Sequence, residues 1–192
     1  TFPCAYSTAE NMLTRVDVTN NDTVLITGAS GGVGSAAIQL AKVRGARVIA
    51  VAGASKQQSV LDAGADLAVV RGNSLEAALG KDAVDVIIDL VGGREWPELP
   101  NILRPFGRYA VSGAIAGPMV ELDLRTLYLK DQCFLGCTVL DDGVFTRLVS
   151  LIEQDAIKPL LARAFPLAAI AEAQAFFLEK QFTGKLVLDM AL

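Results

Sequence analysis

The 192-residue chain contains no histidine. A Ser-His or Cys-His catalytic pair and a histidine metal site are therefore excluded on this chain by itself. Its three cysteines, Cys4, Cys133 and Cys137, are too few for a disulfide framework, and a reducing cytoplasm is the expected compartment. Long apolar runs are missing as well. None approaches the ~20 residues that cross a bilayer, and no signal-peptide architecture opens the chain, so no membrane role is expected. Lys and Arg number 17 against 21 Asp and Glu, for a net charge of −4. With no long basic run, nucleic acid is not an expected partner. There is no initiating methionine, and the segment from Thr1 reads as the middle of a chain, so a fragment is expected. What abounds is apolar: 52% of residues are hydrophobic and the mean hydropathy is +0.43. Parallel strands covered on both faces by helices have that composition.

Residues 24–44, VLITGASGGVGSAAIQLAKVR, carry the densest signal. Val24, Leu25 and Ile26 form a short run suited to a strand buried on both faces. Gly28, Gly31, Gly32 and Gly34 follow as a turn with few side chains. Val33, Ala36, Ala37, Leu40 and Ala41 then recur at helical spacing. Strand, glycine turn and helix in this order bring backbone amides and the positive end of a helix to a pyrophosphate. Ser30, Gly31, Gly32, Val33 and Gly34 are assigned to that contact. Read as GxGxxG, the block starts with Ala29 in place of the first glycine, which is tolerable where positive φ is not needed. A turn of purely structural purpose is the competing reading. GxxxxGK[ST] is absent, which excludes a P-loop, and the glycine spacing suits a pyrophosphate better than S-adenosylmethionine.

An approach helix and a turn fill residues 1–21, broken by Asn20-Asn21-Asp22. After the first strand, further strands are expected at 47–52, 68–70, 84–89, 107–112 and 134–139. Helices are expected at 56–62 and 75–79, with a proline-punctuated one at 95–103. This alternation predicts an α/β fold with a doubly wound, six-stranded parallel sheet of order 3-2-1-4-5-6. Beyond Val139 the pattern changes to a helix at 144–154, an extended piece at 161–165, an Ala-rich helix at 168–179 and a closing strand at 184–188. No further βαβ unit is expected there. Residues 22–140 are thus read as a dinucleotide-binding domain, with 1–21 and 141–192 belonging partly to another domain. The apolar run Phe134–Val139 would lie at the sheet's edge, where a second copy could pair to form a homodimer.

In NAD-specific sites an acid about 20 residues past the first glycine holds the adenosine ribose. Here that stretch reads Val51-Ala52-Gly53-Ala54-Ser55-Lys56, and no Asp or Glu occurs from Val48 to Ser59. Gly53, Ser55 and Lys56 leave room and positive charge for a 2′-phosphate, and Arg71 could reach the same edge. NADP is expected over NAD, while a solvated lysine at a helix start remains the plainer reading of Lys56. Asp89 either hydrogen-bonds at the end of its strand or neighbours a ribose. Trp96 is expected to pack in its helix, and Cys133 and Cys137, spaced for one strand face, in the core. Neither Tyr109 nor Tyr128 has a lysine four residues on, so the Tyr-x-x-x-Lys pair of short-chain dehydrogenases is absent. No catalytic residue is assigned.

VLITGASGGVG, GARVIAVAGASK, LDAGAD, VDVIIDLVGG, LRPFGRYAVSGAIAG and GKLVL, in that order, resemble the medium-chain dehydrogenase/reductase superfamily, nearest its quinone-oxidoreductase-like and zinc-type alcohol dehydrogenase branches. The resemblance implies a catalytic domain ahead of this nucleotide-binding part, and a tail that completes that domain's surface. It implies Val91 and Gly92 at the cofactor ribose and Ser112, Gly113 and Ala114 near the nicotinamide. Cys4, in Cys-Ala-Tyr-Ser-Thr-Ala, resembles a zinc-ligand segment; a small buried cysteine is the other reading. Zinc is expected only in a full-length protein. The expected function is hydride transfer to or from a carbonyl, alkene or quinone, a small-molecule substrate held by the missing domain. The isolated chain is expected to be inactive. A non-catalytic nucleotide-binding or redox-sensing module is the alternative.

Overall fold

The computed structural model describes residues 2–190; Thr1, Ala191 and Leu192, at the ends of the first and third segments, lie outside the described residues. Helix α1 (Phe2–Arg15) buries Ala5, Tyr6, Ala9, Met12 and Leu13 along one face. Asp22 stops the following turn, its carboxylate accepting the Thr19 amide at 2.7 Å and pairing with Arg108. The chain then enters β1 (Thr23–Ile26), the glycine turn and α2 (Gly32–Val43).

Strands β2 (Arg47–Ala52), β3 (Leu67–Val70), β4 (Val84–Asp89), β5 (Leu103–Val111) and β6 (Cys133–Gly136) join β1 in one sheet. Its order is β3-β2-β1-β4-β5-β6 and every pair is parallel, as the alternation predicts. Leu25 lies beside Ile49 on one flank and Ile87 on the other. Alternation of side chains splits the core in two. Val24, Ile26, Val86 and Ile88 join α1 and α2 on one face. Leu25, Ile49 and Ile87 join Trp96, Leu99 and Ile102 on the other. Each fully buried Leu or Ile contributes about 1.5–3 kcal/mol, which is why β1 needs no polar residue between Val24 and Ile26. The crossovers carry α3 (Gln57–Asp62), α4 (Leu75–Leu79), α5 (Leu99–Ile102) and α6 (Leu124–Leu129).

Helix α7 (Val144–Glu153) returns to α1, where buried Glu10 accepts from Arg44 of α2's C-cap at 2.7 Å and from Arg147 at 3.0 Å. Strand β7 (Leu161–Pro166), helix α8 (Ile170–Glu179) and strand β8 (Lys185–Asp189) complete the described residues. Among the described residues no helix is long and apolar enough to cross a membrane.

Five local expectations are corrected. The helix expected at 95–103 is a 3₁₀ turn at Trp96–Glu98 followed by the single turn of α5, and Leu103 is already strand, paired with Val84. Pro97 and Pro100 remove the amides that a longer helix would need. The sixth strand ends at Gly136 rather than Val139. Cys137 turns into the core while Cys133 is exposed, so only one of the two cysteines packs inside. Cys4 is exposed, not buried. Finally, the tail does hold a βαβ unit: β7 and β8 are parallel, with α8 between them, in a sheet of their own.

Candidate functional site

The order of the sheet reverses between β1 and β4, and in open α/β sheets ligands bind at the carboxyl ends of the strands beside that reversal. Two loops meet there. The Thr27 amide donates to the Ile88 carbonyl at 3.0 Å, and the Leu90 amide donates to the Thr27 hydroxyl at 2.9 Å. Gly28 takes the left-handed conformation, φ +59°, and Ala29 does not, so the missing first glycine costs the turn no strain. A side chain at Gly34 would collide with the Gly28 carbonyl and Ala29, which fixes how closely α2 approaches β1. Gly31 caps α2 without a side-chain hydrogen bond. The first-turn amides of Gly32, Val33 and Gly34 are thus the donors that this turn can offer to a phosphate.

A residue missed by the sequence reading stands at the same place. The Lys185 side chain lies across Gly32, in the space a side chain there would fill, and the Gly184 amide donates to the Ser30 carbonyl at 3.0 Å. The closing strand thus brings a cation onto the turn. The segment GKLVL carried that lysine in plain sight, but nothing local says which turn it will reach.

At the end of β2, Gly53 caps a 3₁₀ turn of Ala54–Lys56, with Ser55 exposed and Lys56 half-buried. Burial lowers the affinity of the Lys56 ammonium for its proton below the ordinary lysine value, and the charges of Arg71 and Lys180 lower it further. Arg71 follows β3 and shares a narrow cleft of about 30 Å³ with Gly28, Val51, Leu75, Val91 and Leu99. Its walls are mostly apolar, with Arg71 and the carboxylates of Glu95 and Asp89 among them, and the space between is smaller than an adenine.

Asp89 ends β4 with no exposed surface and is a hydrogen-bond hub. One carboxylate oxygen accepts from the Thr27 hydroxyl at 2.6 Å and from the amides of Val91 at 2.9 Å and Gly92 at 3.2 Å. The other accepts from the Tyr109 hydroxyl at 2.6 Å, which in turn accepts from the Trp96 indole at 2.7 Å. Of the two roles open to Asp89, the geometry selects the first: it shapes the loop that holds Val91 and Gly92. Trp96 is buried and packs edge-on against Tyr109 and Phe134.

Ser112, Gly113 and Ala114 follow β5, with the Ser112 amide donating to the Asp89 carbonyl at 3.1 Å. They share a cleft of about 550 Å³ with Arg15, Gly136, Cys137, Thr138 and Val139. The chain after β6 was not foreseen as part of this wall. Cys4 lines none of these clefts. Among the described residues no three His, Cys, Asp or Glu side chains gather to hold a metal, and the residues present do not fit a catalytic zinc on this chain alone.

Against known proteins, residues 32–154 match the family model described as zinc-binding dehydrogenase. The chain is 31% identical over 188 residues to acryloyl-coenzyme A reductase of Metallosphaera sedula, covering 97% of this chain and 56% of that protein. A candidate alcohol dehydrogenase from Sinorhizobium meliloti 1021 superposes with a TM-score of 0.92 at 49% identity, over 98% of this chain and 54% of that one. The 2-octenoyl-CoA carboxylase reductase CinF, solved with NADP and 2-octenoyl-CoA, superposes at 0.86 with 28% identity, over 98% of this chain and 48% of that one. The chain spans about half the length of the relatives it matches. With that match running from the start of α2 through the other five strands of the parallel sheet, this chain belongs to the zinc-binding dehydrogenase family, as a nucleotide-binding part of the medium-chain dehydrogenase/reductase superfamily.

Proposed function

We propose that this chain is the NADP(H)-binding part of an oxidoreductase whose substrate is a carbonyl, alkene or quinone held by a domain ahead of it. The observation that carries NADP over NAD is charge at the end of β2. No carboxylate lies between Val48 and Ser59, and Lys56 and Arg71 have no carboxylate partner among the described residues. NADP in the CinF complex supports the same choice. Acryloyl-coenzyme A and 2-octenoyl-CoA are both alkenes conjugated to a thioester, which puts an activated alkene first among the three substrate types.

In this reading the amides of Gly32, Val33 and Gly34, with Lys185, hold the pyrophosphate. Ser55, Lys56 and Arg71 hold the 2′-phosphate, and Gly53 leaves room for it. Val91 and Gly92 line the ribose, and Ser112, Gly113 and Ala114 border the nicotinamide. The cofactor when bound supplies the hydride, while the chain orients it and excludes water from one of its faces. Residues 22–140 act as the binding domain, and the flanking segments 1–21 and 141–192 face the catalytic domain. Strand β6, at the edge of the sheet, pairs with a second copy.

Titration with NADPH and NADH tests the cofactor choice. The wild-type chain is expected to bind NADPH about tenfold tighter or better, and Lys56→Ala to lose most of that advantage, since one charge-assisted phosphate contact is worth about 1.5–3 kcal/mol. Equal affinities, unmoved by the substitution, would overturn it.

A further inference from the structure

Among the described residues, ten of the 17 lysines and arginines pair with a carboxylate. Of the remaining seven, Lys56 and Arg71 follow β2 and β3, Lys185 lies on the turn after β1, and Lys180 stands near enough to Lys56 for its charge to act on it. Two come from the parallel sheet's own crossovers. Lys180 and Lys185 come from the tail, on either side of the Phe182–Gly184 bend.

Lys180 follows α8 in the left-handed conformation, φ +54°, so the chain turns sharply as the helix ends. Its ammonium stands 3.3 Å from the centroid of the Phe177 ring. The Phe177 and Phe182 centroids are 5.9 Å apart, and the Lys56 ammonium lies 6.0 Å from that of Phe182. Each of the two lysines therefore contacts one ring of the same aromatic pair. Contact with a ring face stabilises an exposed cation by about 0.5–1 kcal/mol but leaves its charge unneutralised. The repulsion that depresses the proton affinity of Lys56 comes from both Arg71 and Lys180, as expected if the three face a common space.

We propose that Lys180 is the third cation of the 2′-phosphate site, beside Lys56 and Arg71, so that the adenosine end of the cofactor ties the tail bend at residues 177–185 to the sheet. This rests on the NADP(H) reading and extends it: cofactor choice is made jointly by the binding sheet and the tail. An anion between Lys56 and Lys180 removes the repulsion across the aromatic pair, and the tail bend becomes ordered with it.

The experiment uses adenosine 2′,5′-bisphosphate and 5′-AMP as probes, which differ only in the 2′-phosphate. Lys180→Asn removes the charge with a residue that accepts positive φ, Lys180→Arg keeps it, and Lys158→Gln removes a cation placed elsewhere. Thermal midpoints confirm that each variant folds. Lys180→Asn is expected to weaken the bisphosphate about five- to tenfold and to leave 5′-AMP unchanged, while Lys180→Arg stays within about twofold of wild type and Lys158→Gln changes neither. Hydrogen exchange over residues 177–185 is expected to slow with the bisphosphate and not with 5′-AMP. Wild-type preference for the bisphosphate that survives Lys180→Asn overturns this inference and leaves the NADP(H) reading standing. Equal loss for both probes overturns it too, because Lys180 would then supply only a general field. A wild-type chain that binds both probes alike removes the NADP(H) reading itself.

Discussion

Tyr109 donates to Asp89 and accepts from Trp96, and no side chain of the three is more than 4% exposed. Burial, and after it the charge and hydrogen bond of Asp89, raises the Tyr109 proton affinity well above the ordinary phenol value of 10.0. Burial also raises Tyr6, to about 12. Above about pH 10 the unfolded chain releases both protons while the native chain keeps them, so this part of the stability is whole below that pH and falls as pH climbs through the native values. Tyr109→Phe leaves the Trp96 indole and one Asp89 oxygen without their partner. The expected cost is about 1–3 kcal/mol near neutral pH, with a flatter alkaline decline than wild type. Urea unfolding of both proteins from about pH 7 to about pH 11 checks it; parallel curves with no offset would show the network to be idle. At this scale the sequence was legible where chemistry is local. The acid-free stretch after β2 could be read directly from Val51 to Lys56. Lys185 on Gly32 and the approach of Phe182 to Lys56 could not, because each joins residues more than a hundred positions apart in the chain.

Strands and their order were legible because β1, β2 and β4 are buried on both faces, which demands unbroken apolar runs such as Val86–Ile88. The stretch after β4 was not, because Trp96, Leu99 and Ile102 keep a helical rhythm while Pro97 and Pro100 deny it the amides. The tail misled for another reason. Strand β7 is exposed at every residue but Phe165 and β8 is half-buried throughout, so burial leaves little pattern in them, and the parallel pairing of β7 with β8 is a fact of topology alone. Strand β6 is the element with the clearest consequence. It pairs with β5 on one side and is the last strand of the sheet on the other, and beyond it Val139 is 79% exposed. An open edge with apolar flanks is a template for strand addition, and a two-fold axis would join two sheets into one. Light scattering at micromolar concentration is expected to give the mass of two chains. Val139→Lys, which sets like charges near the axis, is expected to shift the mass toward one. A monomeric wild type would rule out the β6 pairing.

Over the whole molecule, the binding surface and the reacting surface are unequally furnished. The proposed phosphate end has a glycine turn, a helix start and four cations with no carboxylate partner among the described residues. The far end, at Ser112 to Ala114 and Gly136 to Val139, has one serine, one threonine, a buried thiol, backbone and Arg15, whose guanidinium donates to the Gly136 carbonyl. Burial raises the Cys137 thiol above its ordinary pKa, so it is held as the thiol rather than the reactive thiolate. Hydride transfer needs a substrate held against the nicotinamide in a site closed to water, and the 550 Å³ cleft is open to solvent. The tail meanwhile exposes Leu161, Leu167, Ile170, Phe177 and Leu178, an apolar surface of the kind that a second domain covers. Cofactor binding without turnover is the expected behaviour of these 192 residues. A panel of enoyl thioesters, quinones and simple alcohols, with NADPH and NADP, is expected to show no more than background oxidation or reduction, while the same preparation binds NADPH in titration. Gly34→Val, which drives a side chain into the Gly28 carbonyl, is expected to abolish that binding. Multiple turnovers by the chain alone, lost in Gly34→Val, would show that this open cleft suffices for the chemistry and that the divided-domain reading is wrong.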